Sequence, residues 1–408
     1  MITVGIDVSK GKSEVAAKTS PSKVVLYPFE IQHNTSDIDA LVKRLKAFND
    51  PDLRIVVEST GRYHEALTLK LYESGFSISV RNPKLTSGFD NDSLRDVKND
   101  KLDALKLADY GIERWYKLQI FIPLEAVYAS LRDLNRQLAQ YNKQLVASKL
   151  NLTSLLDVVY PDITNIFKSN VRKDGHQKWM DFIMTFWHCR CVSSLSEKKF
   201  CDRYQKWCKK NQYNYSLAKA KEVYDHACSS VTSKPKDESV KLMVTVAMQH
   251  IIDLQILIQT LKSEMLKLAV GLPEYSILIS THGVGDTLAP QIIAEIGDIR
   301  RFSNKKKLVA YAGIDPPQYQ SGKYEANDRH ITKRGMPLLR KALFLTMSSI
   351  LQNKKADDPV YQYLDKKRAE GKHYLSYMMA GSRKFLHIYY AKAREQLSDW
   401  DQNTDILD

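Results

Sequence analysis

Val97-Lys98-Asn99-Asp100-Lys101-Leu102-Asp103-Ala104-Leu105-Lys106-Leu107-Ala108 is the stretch that decides how the chain is read. Leu102, Leu105 and Ala108 recur at helical spacing, which predicts an amphipathic helix. Asp100 and Asp103 are three apart and leave that helix on one face. Taken alone, two acids among Lys98, Lys101 and Lys106 describe a solvated helix face. Two carboxylates farther upstream change the reading.

Ile2-Thr3-Val4-Gly5-Ile6-Asp7-Val8 has the pattern of a strand buried on both faces, with Asp7 emerging at its edge. Gly11 turns the chain, and residues 13–18 and 24–31 predict two more strands as antiparallel hairpins. Ser36 is expected to cap a helix to Phe48 that buries Ile38, Leu41, Leu45 and Phe48. Residues 53–58 form a fourth strand ending on Glu58, and Ser59-Thr60-Gly61 turns into a helix around 63–74. Residues 76–80 form a fifth strand, closed by Asn82-Pro83, and the D-x-x-D helix follows. Three strands, then helix, strand, helix, strand, helix, is the pattern of an α/β ribonuclease H-like domain with mixed strand direction.

In that architecture the first and fourth strands end side by side and the closing helix crosses them, so Asp7, Glu58, Asp100 and Asp103 are expected to converge. Four such carboxylates repel and raise one another's pKa values. Two Mg²⁺ ions remove that penalty, because hard cations prefer oxygen ligands. Ions roughly 3.5–4 Å apart activate the attacking oxygen and stabilise the leaving one at a phosphodiester. The bland alternative leaves Asp7 and Glu58 as ordinary strand-end residues, but three independent placements agree on the metal site. Actin-like kinases also begin with a strand, G-x-D and a hairpin. They need a second glycine-rich phosphate loop, and here the 16 Gly are scattered with no P-loop or G-x-G-x-x-G after a strand.

At 408 residues the chain has room for two or three domains, and 43% hydrophobic with 26% charged residues is ordinary globular composition. A net charge of +14 favours a polyanionic partner, nucleic acid first and an acidic membrane surface second. No apolar run approaches spanning length and the chain starts directly on a strand, so neither a membrane partner nor a signal peptide is expected. Five Cys, odd in number and crowded into 189–228, point to a reducing cytoplasmic, nucleoid-associated setting.

From Leu124 onward, Val127, Leu131, Leu134, Leu138, Tyr141, Leu145, Leu152, Leu155 and Val159 follow steps of three and four, with only Ser148 interrupting. Val240, Val244, Ala247, Ile251, Leu254, Ile258, Leu261, Met265 and Leu268 repeat the pattern. Both are coiled-coil seams, which pair with each other or with another subunit. Between them, about 165–230, lies an insertion of shorter helices. His188, Cys189, Cys191, Cys201, Cys208 and His226 invite a zinc reading, but their spacing matches no standard site and the aromatic surroundings favour core packing.

The third region, from Pro273, is mainly helical. Thr281-His282-Gly283-Val284-Gly285 joins two helices, the second about 289–296, in a turn like a helix-hairpin-helix, whose backbone N–H groups can hold a DNA phosphate. A plain packing turn is the equal alternative. From Asp298 to Lys341 eleven Lys or Arg face four acids. They are Arg300, Arg301, Lys305, Lys306, Lys307, Lys323, Arg329, Lys333, Arg334, Arg340 and Lys341, with Tyr311, Tyr319 and Tyr324 interleaved. Such a strip suits a nucleic-acid backbone with stacked bases. Ser321-Gly322, in the loop from Pro316 to Lys323, places a candidate nucleophile inside it. The three regions are 1–115, 116–272 and 273–408.

Several motifs together resemble one family. They are Gly5-Ile6-Asp7-Val8-Ser9-Lys10, Glu58-Ser59-Thr60-Gly61-Arg62-Tyr63, Lys98-Asn99-Asp100-Lys101-Leu102-Asp103-Ala104, His282-Gly283-Val284-Gly285, Tyr311-Ala312-Gly313, and Ser321-Gly322 with Ile331-Thr332-Lys333-Arg334-Gly335. Asp358-Pro359-Val360 and Lys367-Arg368-Ala369-Glu370-Gly371-Lys372 extend the likeness into the tail. In order and spacing the chain resembles the insertion-sequence transposases that join an N-terminal RuvC-like DEDD domain to a C-terminal serine-bearing domain, the bridge-RNA-guided recombinases. The resemblance covers roughly 1–110 and 275–395. It implies a recombinase, tetrameric in the family, that excises and inserts its own element while a noncoding RNA chooses both DNA sites. It further implies that Asp7, Glu58, Asp100 and Asp103 bind Mg²⁺, and that Ser321 attacks the phosphodiester to form a covalent protein–DNA link. Without it, the residues alone reach a metal-dependent nucleic-acid enzyme. The competing readings are a RuvC-like structure-selective endonuclease that uses water, and a non-catalytic nucleic-acid scaffold.

Overall fold

The computed structural model describes residues 1–86, 89, 99–167, 172, 176–316, 320, 321, 324, 325 and 330–397. It divides into two compact units, Met1–Glu125 and a second beginning at Ala126.

The first unit runs β1 (Thr3–Ser9), β2 (Lys12–Ser20), β3 (Lys23–Gln32), α1 (Thr35–Lys46), β4 (Arg54–Glu58), α2 (Glu65–Glu73), β5 (Ser77–Arg81), a short α3 (Pro83–Thr86) and α4 (Asp100–Arg114). Its sheet has the order β3-β2-β1-β4-β5. β1, β2 and β3 are antiparallel hairpins, whereas β4 and β5 run parallel to β1. Each parallel step needs a crossover, and α1 and α2 supply them. This is the strand order and direction of a ribonuclease H-like fold. Alternation along the strands sends Val4, Ile6 and Val8 with Val15, Ile55 and Val57 into a core shared with Leu41, Leu45, Leu67 and Leu71. The α1 cap is Asn34, whose Oδ1 accepts the Asp37 N–H at 2.8 Å, so Ser36 falls inside the first turn rather than capping it.

α4 forms where the D-x-x-D stretch predicts it, but its buried face is not the leucine stripe. Leu102 is 40% exposed, while Ala104, Leu107, Ala108 and Gly111 are buried. The cause is closeness. A Cβ on Gly5 would lie 2.0 Å from the Ala104 carbonyl oxygen and 2.5 Å from the Ala108 nitrogen, and one on Gly111 would meet Thr3 Cγ2 at 2.4 Å. Small residues set this contact, and Asp100 and Asp103 continue the same sheet-facing stripe at helical spacing. A part-buried ion pair, Lys18 Nζ to Asp109 Oδ2 at 2.7 Å, ties the helix to β2.

The second unit begins with α5 (Ala126–Val159), followed by α6 (Ile163–Ile166), α7 (Lys178–Thr185), α8 (Arg190–Ser193), α9 (Glu197–Lys210), α10 (Leu217–Ser229) and α11 (Glu238–Val270). Then come α12 (Pro273–Ile279), α13 (Leu288–Ile296), α14 (Lys305–Ala312), the two-residue strands β6 (Gln320–Ser321) and β7 (Tyr324–Glu325), α15 (Pro337–Asn353), α16 (Pro359–Ala369) and α17 (Tyr374–Gln396). α5 and α11 pack on each other within the chain. The end of α5 (Leu152, Leu156, Val159) shares a core with the start of α11 (Val240, Val244, Met248, Ile251), so the two helices run antiparallel. The seam on α5 passes through Asn135 rather than Leu134, because Asn135 Nδ2 donates to Glu295 Oε1 of α13 at 2.8 Å. α11 is long and apolar enough, by length and composition, to cross a membrane, which corrects the expectation that no apolar run comes near that length. Its apolar content has a packing use, since the row from Val240 to Ala269 is buried.

Between these long helices, α6 to α10 form a subdomain around stacked aromatics. Phe182 stacks on Phe186, and Tyr204 stacks on Phe200 and Trp207. Cys189, Cys201 and Cys208 are buried in this core, and all five Cys are free thiols.

Candidate active site

Asp7 and Glu58 stand near the C-terminal ends of neighbouring parallel strands, one step beyond the Ile6–Val57 register pair. Asp100 and Asp103 occupy the first turn of α4, which Asn99 caps by accepting the Lys101 N–H at 3.1 Å. Acids in a first turn meet the positive end of the helix dipole, so this sequence tolerates them there. Asp7 shows that the four groups share one field. Its pKa is pushed from 3.8 up to about 6, first by burial and then by the negative charges of Glu58, Asp100 and Asp103, against a lowering hydrogen bond from the Val8 amide.

Two residues that the sequence reading passed over belong to this site. The Thr86 hydroxyl donates to Glu58 Oε2 at 2.8 Å and so fixes which way that carboxylate presents its oxygens. Glu14 lies directly across the β1–β2 ladder from Asp7. Burial raises its pKa, the nearby Lys101 and Lys12 oppose the rise, and Glu30 and Asp100 add to it. The Glu14 signal was present in the sequence, because a hairpin turning at Gly11 sets residue 7 opposite residue 14.

Among the described residues, no three His, Cys, Asp or Glu side chains are gathered so as to hold a single metal ion. The donor set itself suits a hard divalent cation: carboxylate oxygens only, with one group held partly unionised by the charge of the others. A cation among them would offset the burial and the repulsion that together raise the Asp7 pKa.

In the second unit, the backbone of Ser321 pairs with Tyr324 in the β6–β7 hairpin. The Ser321 side chain lies outside the described residues, as do Lys323 and Arg329. The base of the loop that carries it is firmly built. The Thr332 hydroxyl donates to Asp315 Oδ1 at 2.7 Å, and the Lys333 N–H donates to the Gly313 carbonyl at 3.0 Å. Gly313 has φ +67°, and a Cβ on Gly335 would lie 2.1 Å from the Tyr311 carbonyl oxygen. The two glycines pack back to back there, which gives Tyr311-Ala312-Gly313 and Ile331-Thr332-Lys333-Arg334-Gly335 a common structural purpose.

The basic strip separates into two groups. Lys305, Lys306 and Lys307, at the start of α14, are exposed, as are Lys333 and Arg334. Arg300, Arg301 and Arg340 are engaged by the fold instead. Arg300 pairs with Asp298 at 2.9 Å, Arg301 lies over Phe302 and Tyr311, and Arg340 donates to the Ala312 and Gly335 carbonyls. The Tyr311 ring is already occupied, with the Arg301 guanidinium 4.7 Å over it and Phe302 packed edge-on at 5.2 Å, and its hydroxyl donates to the Glu295 carbonyl at 3.0 Å. His282, Gly283 and Gly285 join α12 to α13 as a tight turn. Gly283 has φ +81° and faces Ile350 of α15, where a Cβ would come within 2.3 Å, whereas Gly285 faces open space.

Two family models match the chain, a DEDD transposase of the IS110 type over residues 4–161 and the Transposase IS116/IS110/IS902 family over residues 275–362. Among curated proteins, the pilin gene-inverting protein of Moraxella bovis is 21% identical over 348 residues, 85% of this chain and 82% of that protein. The insertion element IS116 uncharacterized 44.8 kDa protein of Streptomyces clavuligerus is 19% identical over 399 residues, 97% of this chain and 95% of its own. Among solved structures, T. thermophilus RuvC in complex with Holliday junction substrate aligns with a TM-score of 0.23 at 12% identity, covering 30% of this chain and 99% of RuvC. With both transposase models matched in order, the chain carries the two domains of the IS110-type insertion-sequence transposases.

Proposed function

We propose that this protein is a DNA strand-transfer recombinase that excises and inserts a mobile element, with Asp7, Glu58, Asp100 and Asp103 as its metal-binding carboxylates and Ser321 as its nucleophile. The observation that carries the reading is the placement of Asp7 and Glu58 towards the ends of neighbouring parallel strands, with Asp100 and Asp103 near enough to act on Asp7, in a chain that carries two transposase domains. Two Mg²⁺ ions held there would supply charge neutralisation at the phosphodiester and lower the pKa of an oxygen nucleophile. Within the protein, Thr86 orients Glu58, and the first turn of α4 presents Asp100 and Asp103. In the first step the Ser321 oxygen bonds to phosphorus and loses its proton, while the departing deoxyribose oxygen leaves and takes one up. The ester keeps the energy of the phosphodiester, so reversal onto a different strand end rejoins the DNA without an added energy source. Hydrolysis by water would dissipate that energy.

The same reading assigns residues 1–115 to the RuvC-like domain, 116–272 to a coiled coil with a helical insertion, and 273–408 to the serine-bearing domain. His282, Gly283, Gly285, Lys305, Lys306, Lys307, Lys323, Arg329, Lys333 and Arg334 bind nucleic-acid phosphates, acting on element ends and target. A noncoding RNA serves as guide, in the cytoplasm with the nucleoid. The protein works as a dimer or tetramer through α5 and α11. Support for the last point comes from the large apolar side chains these helices expose, among them Leu150 at 67%, Leu242 at 62% and Ile256 at 59%.

The test is to incubate the full chain with Mg²⁺, guide RNA and element-end DNA, trap the reaction, and map any DNA-bearing peptide by mass spectrometry. The adduct is expected on Ser321, and Ser321→Ala is expected to bind DNA yet neither cleave it nor form an adduct. Cleavage by Ser321→Ala, or an adduct on another residue, would return the chain to a water-using endonuclease.

A further inference from the structure

Residues 162–274 fall outside both transposase family models. Within them, residues 165–230 hold thirteen Lys or Arg against six Asp or Glu, so half of the chain's net charge of +14 sits on this small subdomain. Its densest part is α9. Burial of Phe200, Cys201, Tyr204, Trp207 and Cys208 fixes one face of that helix into the aromatic core. At 100° per residue, Lys199, Arg203, Lys206 and Lys210 fall within about 60° of one another on the opposite side. All four are exposed. They form a straight row about 16 Å long, at 1.5 Å rise per residue.

The row is rigidly mounted and open. Arg203 lies 5.2 Å over the ring of Phe186, which anchors the middle of the row to the core. Among the described residues none of the four has an ion pair, in contrast to Lys219, Lys221, Lys241 and Lys267, each paired with a Glu within 3.2 Å. No aromatic residue lies on the row itself, since the rings of α9 all point into the core. Single strands are held by stacking platforms and folded RNA is read largely at its unpaired bases. A bare line of cations fits duplex phosphates instead, without reading sequence.

We propose that the Lys199–Arg203–Lys206–Lys210 row of α9 is a duplex-DNA-binding surface, made of residues other than the four carboxylates and the basic strip at 298–341. The inference rests on the recombinase reading only for the identity of the polyanion, and uses neither the carboxylates nor Ser321. Such a surface would hold DNA flanking the reacting ends and add affinity independent of sequence.

The experiment measures binding of the full chain to a duplex DNA of arbitrary sequence over a series of salt concentrations, by fluorescence anisotropy. Replacing the four row residues by Gln should flatten the slope of log affinity against log salt by about 2 to 3.6, at up to about 0.9 per lost phosphate contact. Lys219→Gln, Lys221→Gln, Lys241→Gln and Lys267→Gln combined remove the same net charge, and this control should change the slope by less than about 1, because those cations are already neutralised by partners. The slope reads binding alone, with no strand transfer required, so failure of the catalytic reading leaves this result readable. An equal effect of row and control would overturn the proposal. A slope change confined to an RNA duplex of the same length would do so as well. Should the row variant melt early, photo-crosslinking of wild-type protein to the DNA decides: adducts within Glu197–Lys210 are expected, and their absence rejects the surface.

Discussion

Asp7→Asn should stabilise the metal-free protein while destroying its chemistry. Asp7 is held at a pKa of about 6 against an ordinary 3.8, by burial and by Glu58, Asp100 and Asp103. One pKa unit corresponds to about 1.4 kcal/mol, so the shift corresponds to about 3 kcal/mol against ionisation in the folded state. The carboxyl is only partly buried, and solvent screening reduces this to on the order of 1–2 kcal/mol. The folded state binds this proton more tightly than the unfolded chain does. The favourable contribution is therefore complete below about pH 4 and is lost as the pH rises to about 6 and beyond. Asn carries no charge at any of these pH values. In EDTA, urea unfolding of the full chain at pH 7.5 should show Asp7→Asn more stable than wild type by about 1–2 kcal/mol, with the gap closing near pH 4. Adding Mg²⁺ should stabilise wild type more than the variant. A gap that persists unchanged at pH 4, or a variant less stable than wild type at pH 7.5, would refute the idea that the four carboxylates share one field.

Two further outcomes follow from the packing around the same site. Gly5→Ala sets a Cβ 2.0 Å from the Ala104 carbonyl oxygen, which is backbone and can yield only if α4 moves, so the expected cost is about 2–3 kcal/mol in thermal unfolding. A variant as stable as wild type would mean that α4 is not seated so closely. Thr86→Val removes the hydroxyl that donates to Glu58 and should lower the strand-transfer rate about tenfold, for roughly 1.4 kcal/mol of lost positioning, with DNA affinity unchanged. An unaltered rate would remove Thr86 from the site.

Much of the first unit was legible from pattern alone. Strands differ from helices by period, and both Asp7 and Glu58 end apolar runs, so the sheet and two of the four carboxylates could be placed before any coordinates. The face of α4 could not. Hydrophobicity ranks Leu102 above Ala104, but contact with β1 is decided by how near the backbones come, and that depends on Gly5, almost a hundred residues earlier. The seam on α5 slipped by one position for a related reason, since Asn135 is buried by a hydrogen bond to Glu295 that no local period can reveal. Arg300, Arg301 and Arg340 looked like ligands for phosphate because composition counts charge without seeing its partners. Thr86 was silent altogether: its role is one hydrogen bond to a residue 28 positions away.

Seating α4 on Gly5 makes the helix a lever. Its contacts lie at Ala104, Ala108 and Gly111, its tether is the Lys18–Asp109 ion pair, and its free end carries Asp100 and Asp103. Asp100 is eight residues, about 12 Å, from Ala108 along the axis. A tilt of about 5° about that point would carry Asp100 roughly 1 Å, twice the tolerance within which a catalytic constellation works. Loosening the seat around Ala108 and its Lys18–Asp109 tether can therefore misalign the carboxylates while every strand and helix stays folded. Damage of that kind would be felt as lost chemistry in a protein whose spectrum and melting curve still look intact.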